Sequence, residues 1–389
     1  MNDLRTSRVG RHLVLVAKRT WFGIFNLLSY VVPKRRGLYA FLPLHDRGKF
    51  AGSLRELAVS YSARNGEASL DLRWIAESDV AHRAAREAGL RSMRVKTLPF
   101  WTLLRAEVVL IDTSSERFRG RFDLVQVWHE SGFKKVGIGD RKYAKSGVTK
   151  LSEPSNYRLL LATSDEDARR KRASFPGANV VVTGSPRNDV FFRNQDRAQA
   201  RNRFGLEAFD LVCTYAPTWR DVPVRQPLSP DAWRALSDLM VRTNAVFVTK
   251  RHPYDDFVEV PDDLPNVVDL TEAVDEVQEL LLATDVLVSD YSGIVVDFCL
   301  TKRPIVYYTY DMDEYLKDSR DMHYDLTEVL PGPFCTEEQH LLNRLDDLAW
   351  SRADEYVGAY EAFVSRFHRH HDGRSSQRAW DRIRSEFAS

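Results

Sequence analysis

From residue 37 onward, short apolar runs alternate with longer segments whose apolar residues recur at helical spacing, the pattern of parallel strands covered by helices. In the first half the runs that read as strands are 38–44, 72–76, 107–112, 124–128, 159–162 and 180–183. The alternation restarts at 211–215 and continues through 246–250, 267–270, 286–289 and 305–308, with helical patterns at 231–242, 274–283 and 293–300. Two doubly wound α/β domains follow from this. A charged segment at 188–209 separates the two series, and beyond Thr336 the chain turns charged and helical. The expected division is a basic amphipathic segment at 1–36, Rossmann-like domains at 37–195 and 196–350, and helices at 351–389 that pack back across both. With no repeat, low-complexity tract or long Gly/Ser linker, the domains should sit close together around a cleft. In such sheets ligands bind beyond the carboxyl ends of the strands.

Composition sharpens this division. The chain has 389 residues, 43% of them hydrophobic, enough for more than one core, since single cores stop growing near roughly 250–300 residues. Acids and bases nearly cancel, to a formal net charge of +1, which excludes a generic polyanion binder and gives no sign of a nucleic-acid partner. Basic charge gathers instead at the start of the chain, where Arg5, Arg8, Arg11, Lys18, Arg19, Lys34, Arg35 and Arg36 face a single acid, Asp3. The uncharged stretch 20–33 between them is shorter than the roughly 17–25 apolar residues of a spanning helix. Nor does a small-residue cleavage site follow it. Trp21, Phe22, Phe25, Leu28 and Val32 recur at helical spacing, so the segment reads as an interfacial helix on an anionic membrane surface. The alternative is a helix packed on the N-terminal domain. Cys213, Cys299 and Cys335 are odd in number and widely spaced, with no zinc or disulfide pattern, and read as core thiols of a reducing compartment.

Five stretches at strand ends carry candidate chemistry. In VLVSDYSGIVVDF (286–298) a buried strand runs into a tight turn and an apolar helix. Unpaired backbone N–H groups at a helix start attract anions, so Ser292 and Gly293 read as a phosphate turn and Asp297 as a ribose-hydroxyl acceptor; a plain helix cap is the alternative. VTKRHPYD (248–255) puts Lys250, Arg251 and His252 at one strand end, three groups suited to a phosphate. VQVWHESGFKKVG (125–137) delivers His129, a side chain able to take a hydroxyl proton near neutral pH, followed by Glu130, which would orient it or lie solvated. TGSPRNDVFF (183–192) presents Arg187 and Asn188, and TYAPTWRD (214–221) presents Thr218, Trp219 and Arg220. Arg220 reads as a bridge between phosphate oxygens and Trp219 as a contact to a base or polyol, with packing the alternative for both.

In this order the five stretches resemble the CDP-glycerol glycerophosphotransferase family, the enzymes that prime and polymerise teichoic acids. The family pattern runs WHGTPLKKIG, G-x-PRND, YAPTWR, K-x-HP and TDYSSIxxDF, then RPIxFxxYDxxxY. Here the segments read WHESGFKKVG, GSPRND, YAPTWRD, KRHP and SDYSGIVVDFCLTKRPIVYYTYDMDEY. The resemblance implies a GT-B-like fold and a CDP-glycerol or CDP-ribitol donor held mainly by the C-terminal domain. It also implies a lipid-linked or polymer acceptor at the cytoplasmic face of the cell membrane, where the protein would be peripheral. The essential histidines of the family fall on His129 and His252. Its donor-binding segments fall on His129, Glu130, Ser131, Gly132 and Phe133, on Arg187 and Asn188, on Thr218 to Arg220, on Ser292 and Gly293, and on Asp297. Two positions depart from the pattern: Glu130-Ser131 replaces Gly-Thr, and Gly293 replaces the second serine of the phosphate turn.

The expected reaction is in-line attack of an acceptor hydroxyl on the β-phosphorus of the donor, with CMP leaving. His129 would act as base, while His252, Arg251 and the turn at Ser292 stabilise charge. With no DxD-like acid pair at a strand end, neither a cofactor nor an obligatory metal is expected. A GT-B glycosyltransferase using a nucleotide sugar and a non-catalytic membrane-bound scaffold are the alternatives. The sequence points to no particular polyol or oligomeric state, and does not separate primase from polymerase.

Overall fold

The computed structural model describes residues 8–45, 48–64, 70–95, 99–113, 118–139, 157–193, 197–220, 225–252, 255, 257–318, 321–350 and 356–387. Arg5, Pro253 of the KRHP segment and Asp221 of the YAPTWRD segment lie outside the described residues.

Two parallel sheets form the frame. The first contains β1 (Arg35–Leu42), β2 (Asp71–Ala76), β3 (Arg91–Arg94), β4 (Ala106–Ile111), β5 (Leu124–Gln126), β6 (Leu159–Ala162) and β7 (Val180–Val182), in the order β3-β2-β1-β4-β5-β6-β7. The second contains β8 (Leu211–Tyr215), β9 (Ala245–Thr249), β10 (Val267–Asp269), β11 (Val286–Ser289), β12 (Ile305–Tyr308) and β13 (Phe334–Cys335), in the order β10-β9-β8-β11-β12-β13. In each sheet the order reverses once, between β1 and β4 and between β8 and β11, and a reversal opens a crevice at the carboxyl ends of the two strands.

The apolar runs are continuous because both faces of each sheet are covered. On β1, Tyr39 and Phe41 enter one core while Leu38, Ala40 and Leu42 enter another on the opposite face. β8 does the same, with Cys213 and Tyr215 on one side and Val212 on the other. All three cysteines are buried and free. The apolar pattern did not mark β3 and β13. β3 is the tetrapeptide RSMR with exposed ends, and β13 is two residues long; both are edge strands that need no alternating signal.

Helices at the chain's end return to both sheets. Val357–Phe367 places Tyr360, Phe363 and Phe367 in the core beside β11 and β12. Ser375–Phe387 places Ala379, Trp380 and Ile383 against the first sheet, where the Trp380 indole donates to Leu57 O at 2.9 Å. Asp189 starts this last helix by accepting from Ser375 N and Ser376 N, both at 2.8 Å.

The basic N-terminal segment forms a helix, Arg8–Val31, and among the described residues no helix is long and apolar enough to cross a membrane. Its faces differ from the expected ones. Phe25 is buried, and Leu28 and Val32 pack against the first-sheet core, so that part of the expected membrane face is the domain-packing face. A second stripe, Ile24, Leu27, Tyr30 and Val31, is exposed, as are Trp21 and Trp101 beside it; Trp21 meets Phe100 edge-on at 5.3 Å.

Candidate active site

The two switch points face one cleft of about 190 Å³. His45 follows β1, His129 and Glu130 follow β5, and Arg187 follows β7; from the other sheet Ala216 and Pro217 follow β8, Lys250 to His252 follow β9, and Ser292 follows β11. Every lining residue named here leaves the carboxyl end of its strand.

His129 is aimed by its neighbours. Trp128 adopts a left-handed conformation, φ 57°, which costs a non-glycine residue about 1–3 kcal/mol. Burial of the indole against Phe175 at 5.1 Å, together with a 2.9 Å bond from Trp128 N to Gln126 Oε1, holds that conformation and turns the next side chain into the cleft. His129 Nδ1 lies 3.2 Å from the carbonyl oxygen of Asp112, an acceptor only, so Nδ1 carries the proton and Nε2 keeps its lone pair. Asp112 also organises the opposite strand end: its Oδ1 accepts from Leu44 N at 2.8 Å and His45 N at 3.1 Å. The His45 ring thereby stacks on His129 at 4.0 Å and 17°, and stands 6.2 Å from His252, which in turn is 5.8 Å from Trp219.

Asp297 sits under the cleft, 1% exposed. Arg187 Nη2 reaches its Oδ2 at 2.6 Å, Asn188 Nδ2 reaches Oδ1 at 2.6 Å, and Gln278 Nε2 reaches Oδ2 at 3.2 Å. A buried carboxylate is costly unless it is paired, and this one is paired three ways. It therefore fixes Arg187 at the cleft, which it also lines. The 3₁₀ segment Pro186–Phe192 after the first sheet is tied by it to Ile294–Phe298 of the second. On the far side of the cleft a second tie runs from Gly52 N to Glu276 Oε2 at 2.7 Å, with Arg55 beside the same carboxylate at 3.5 Å.

The loop after His129 is clamped as well. Phe133 is fully buried between Phe363 and Phe367, its carbonyl accepts from His323 N at 2.8 Å, and Gly132 O accepts from Arg170 at 2.8 Å. Phe133 is thus a core residue joining the two halves, and Ser131 is buried with it. Three further expected residues are also buried. Arg220, 2% exposed, bonds Asp311 at 2.7 and 2.8 Å and Asp290 at 2.8 Å, with its cation over Tyr315 and Tyr291. Thr218 and Asn188 are buried. Arg251 lines the cleft but spends its guanidinium on Asp269 at 2.7 Å and Val258 O at 2.8 Å. The helix at the phosphate turn has only five residues, and Ser292 Oγ accepts from Ile294 N at 3.4 Å. Its cap is therefore weak, and the cationic character of the cleft comes mainly from side chains. Among the described residues, no three His, Cys, Asp or Glu side chains group as metal ligands.

Sequence reasoning missed His45, Asp112 and Gln278. His45 follows β1 directly and Asp112 follows β4, the two strands that flank the reversal of the first sheet, and that adjacency becomes visible only with the strand order.

Two facing parallel sheets with a cleft lined from their carboxyl ends define a GT-B-like architecture. Over 97% of this chain and 95% of its own, the solved wall teichoic acid polymerase TagF superposes with a TM-score of 0.77 at 19% identity, which supports the same fold. Residues 24–385 match the family described as CDP-glycerol:poly(glycerophosphate) glycerophosphotransferase. The chain belongs to this family of transferases. Among curated proteins it is 29% identical over 285 residues to the teichoic acid poly(ribitol-phosphate) polymerase of Bacillus spizizenii, covering 69% of this chain and 44% of that protein. It is 27% identical over 307 residues to the teichoic acid glycerol-phosphate transferase of Staphylococcus aureus, covering 72% and 76%.

Burial, reinforced by neighbouring His45, pulls the His129 imidazole down to about 3. An unfolded histidine titrates near ~6.5, so the folded chain binds fewer protons here and this group's contribution to stability is lost as pH falls below that value. NMR of the ring nitrogens is expected to show His129 neutral at about pH 5, with the midpoint rising in His45→Gln. A wild-type midpoint near the ordinary histidine value contradicts this.

Proposed function

We propose that this chain transfers glycerol phosphate or ribitol phosphate from a CDP-activated donor to a hydroxyl of a lipid-linked or polymer acceptor and releases CMP. The observation that carries the proposal is the pairing, within one cleft, of His129, held by its Nδ1 bond to Asp112 O, with the group Lys250, His252 and Arg187. A neutral imidazole accepts the acceptor's hydroxyl proton as its oxygen attacks the β-phosphorus. Cations on the facing wall meet the charge that builds on the phosphoryl oxygens and on departing CMP. The family match and the relatives' glycerol- and ribitol-phosphate activities support this donor class. Since protein cations supply the charge stabilisation, no metal is obligatory in this mechanism.

The test is CMP release from CDP-glycerol and CDP-ribitol, with UDP-sugars in parallel, in the presence of EDTA. Wild type is expected to release CMP, and His129→Ala to lose at least about a hundredfold, the usual worth of a general base. UDP release instead favours a glycosyltransferase, and near wild-type turnover by His129→Ala removes that residue from the mechanism.

The reading also places the protein peripherally on an anionic membrane, where a lipid-linked acceptor would be met. Support comes from the exposed stripe Ile24, Leu27, Tyr30 and Val31, which follows the basic residues of the same helix. In flotation with phosphatidylglycerol vesicles the wild type is expected to rise with lipid and Leu27→Glu/Val31→Glu to stay at the bottom. Equal recovery of both with lipid contradicts membrane contact through this stripe.

A further inference from the structure

The two departures from the family pattern meet in space. A Cβ placed on Gly293 would lie 2.8 Å from Glu130 Oε2, 3.3 Å from Glu130 Cβ and 3.3 Å from Gly132 Cα. The 2.8 Å approach is one that real Cβ atoms essentially never show, so the Glu130 carboxylate would have to move aside, and the 3.3 Å approach to Gly132 Cα is tight against backbone that Arg170 and Phe133 hold in place. Backbone conformation does not demand glycine at this position: φ −63° and ψ −14° are right-handed helical values that any residue adopts. What Gly293 supplies is room, and the room is taken by the Glu130 carboxylate. Gly293 and Glu130 thus share one space, the glycine leaving what the carboxylate fills.

That carboxylate lines the cleft beside His129, Arg187 and Ser292. Burial pushes its pKa up, but the Lys134 ammonium, helped by the Arg187 guanidinium, outweighs burial and holds it at about 2, so it is ionised. An ionised carboxylate only accepts hydrogen bonds and repels phosphate oxygens. Among the described residues none donates a hydrogen bond to it. It is a vacant acceptor placed where the pattern otherwise supplies a serine hydroxyl.

We propose that Glu130, admitted by Gly293, is a specificity-determining residue that accepts hydrogen bonds from the hydroxyls of the uncharged polyol part of the donor. The proposal rests on the CDP-polyol reading above and deepens it. Phosphate recognition stays with Arg187, Lys250 and His252, and Glu130 marks off the adjoining space for a neutral, hydroxyl-bearing group. A donor lacking a hydroxyl there leaves the ionised carboxylate without a partner, a loss larger than that of an ordinary hydrogen bond.

The experiment measures kcat and KM for CMP release from CDP-glycerol and from CDP-1,3-propanediol, which lacks the central hydroxyl, in wild type, Glu130→Gly, Gly293→Ser and the double variant. Wild type is expected to prefer CDP-glycerol by about tenfold or more, and Glu130→Gly to lose most of that preference. Gly293→Ser alone should lower both kcat/KM and melting temperature. Adding Glu130→Gly to it should restore both, a non-additivity expected only of residues in contact. The melting readout distinguishes a variant that fails to fold from one that fails to discriminate. An unchanged preference in Glu130→Gly, or losses that simply multiply in the double variant, overturns the proposal while leaving the transferase reading standing. No CMP release by wild type from any CDP-polyol overturns both.

Discussion

The cleft depends on one buried carboxylate. Asp297 belongs to the second sheet's phosphate-turn helix, while two of its three partners, Arg187 and Asn188, leave the last strand of the first sheet. Removing a fully paired carboxylate from the interior leaves its partners buried and unpaired, a penalty of about 3–5 kcal/mol, which is why such a tie holds a geometry more firmly than a surface ion pair. Other contacts between the halves, including Phe133 seated between Phe363 and Phe367 and Gly52 bonded to Glu276, close the two sides. Asp297 lies beneath the reactive groups and aims one of them.

Above it the structure sorts charge by position. Stacked rings run across the first-sheet side, with Trp128 on one side of His129 and His45 on the other. Basic side chains line the second-sheet side at Lys250 and His252. Such a division suits transfer of an anionic group to an alcohol: the base must be unprotonated where the alcohol arrives, and positive charge is useful only where the phosphoryl oxygens gather. The strained backbone at Trp128 serves the same division, since it turns a histidine out of a strand whose neighbouring residues face a core.

Much of the fold was legible because parallel strands covered on both faces read as unbroken apolar runs. β3 and β13 were not, being short edge strands with little to bury. In the site, position was legible and orientation was not. His129, Lys250, His252, Arg187 and Ser292 were marked by standing where an apolar run stops, and they do meet in the cleft. Arg220 stands at such a position too, yet turns inward, because its carboxylate partners Asp290 and Asp311 lie about 70 and 91 residues away along the chain. Arg251 is withdrawn by Asp269 and Phe133 by two phenylalanines of the helix Val357–Phe367, contacts that no local pattern reports. His45 was passed over for the converse reason, since its segment carries no cluster and its importance comes from the ring stacked upon it.

If Asp297 is the constraint on which the cleft rests, removing it should separate folding from binding. Titration calorimetry of CDP-glycerol into Asp297→Ala, with circular dichroism confirming that both sheets persist, measures this directly. Binding at least about tenfold weaker than wild type, ~1.4 kcal/mol, is expected because Arg187 loses its anchor. Wild-type affinity in a folded Asp297→Ala protein would contradict the claim that this carboxylate organises the site.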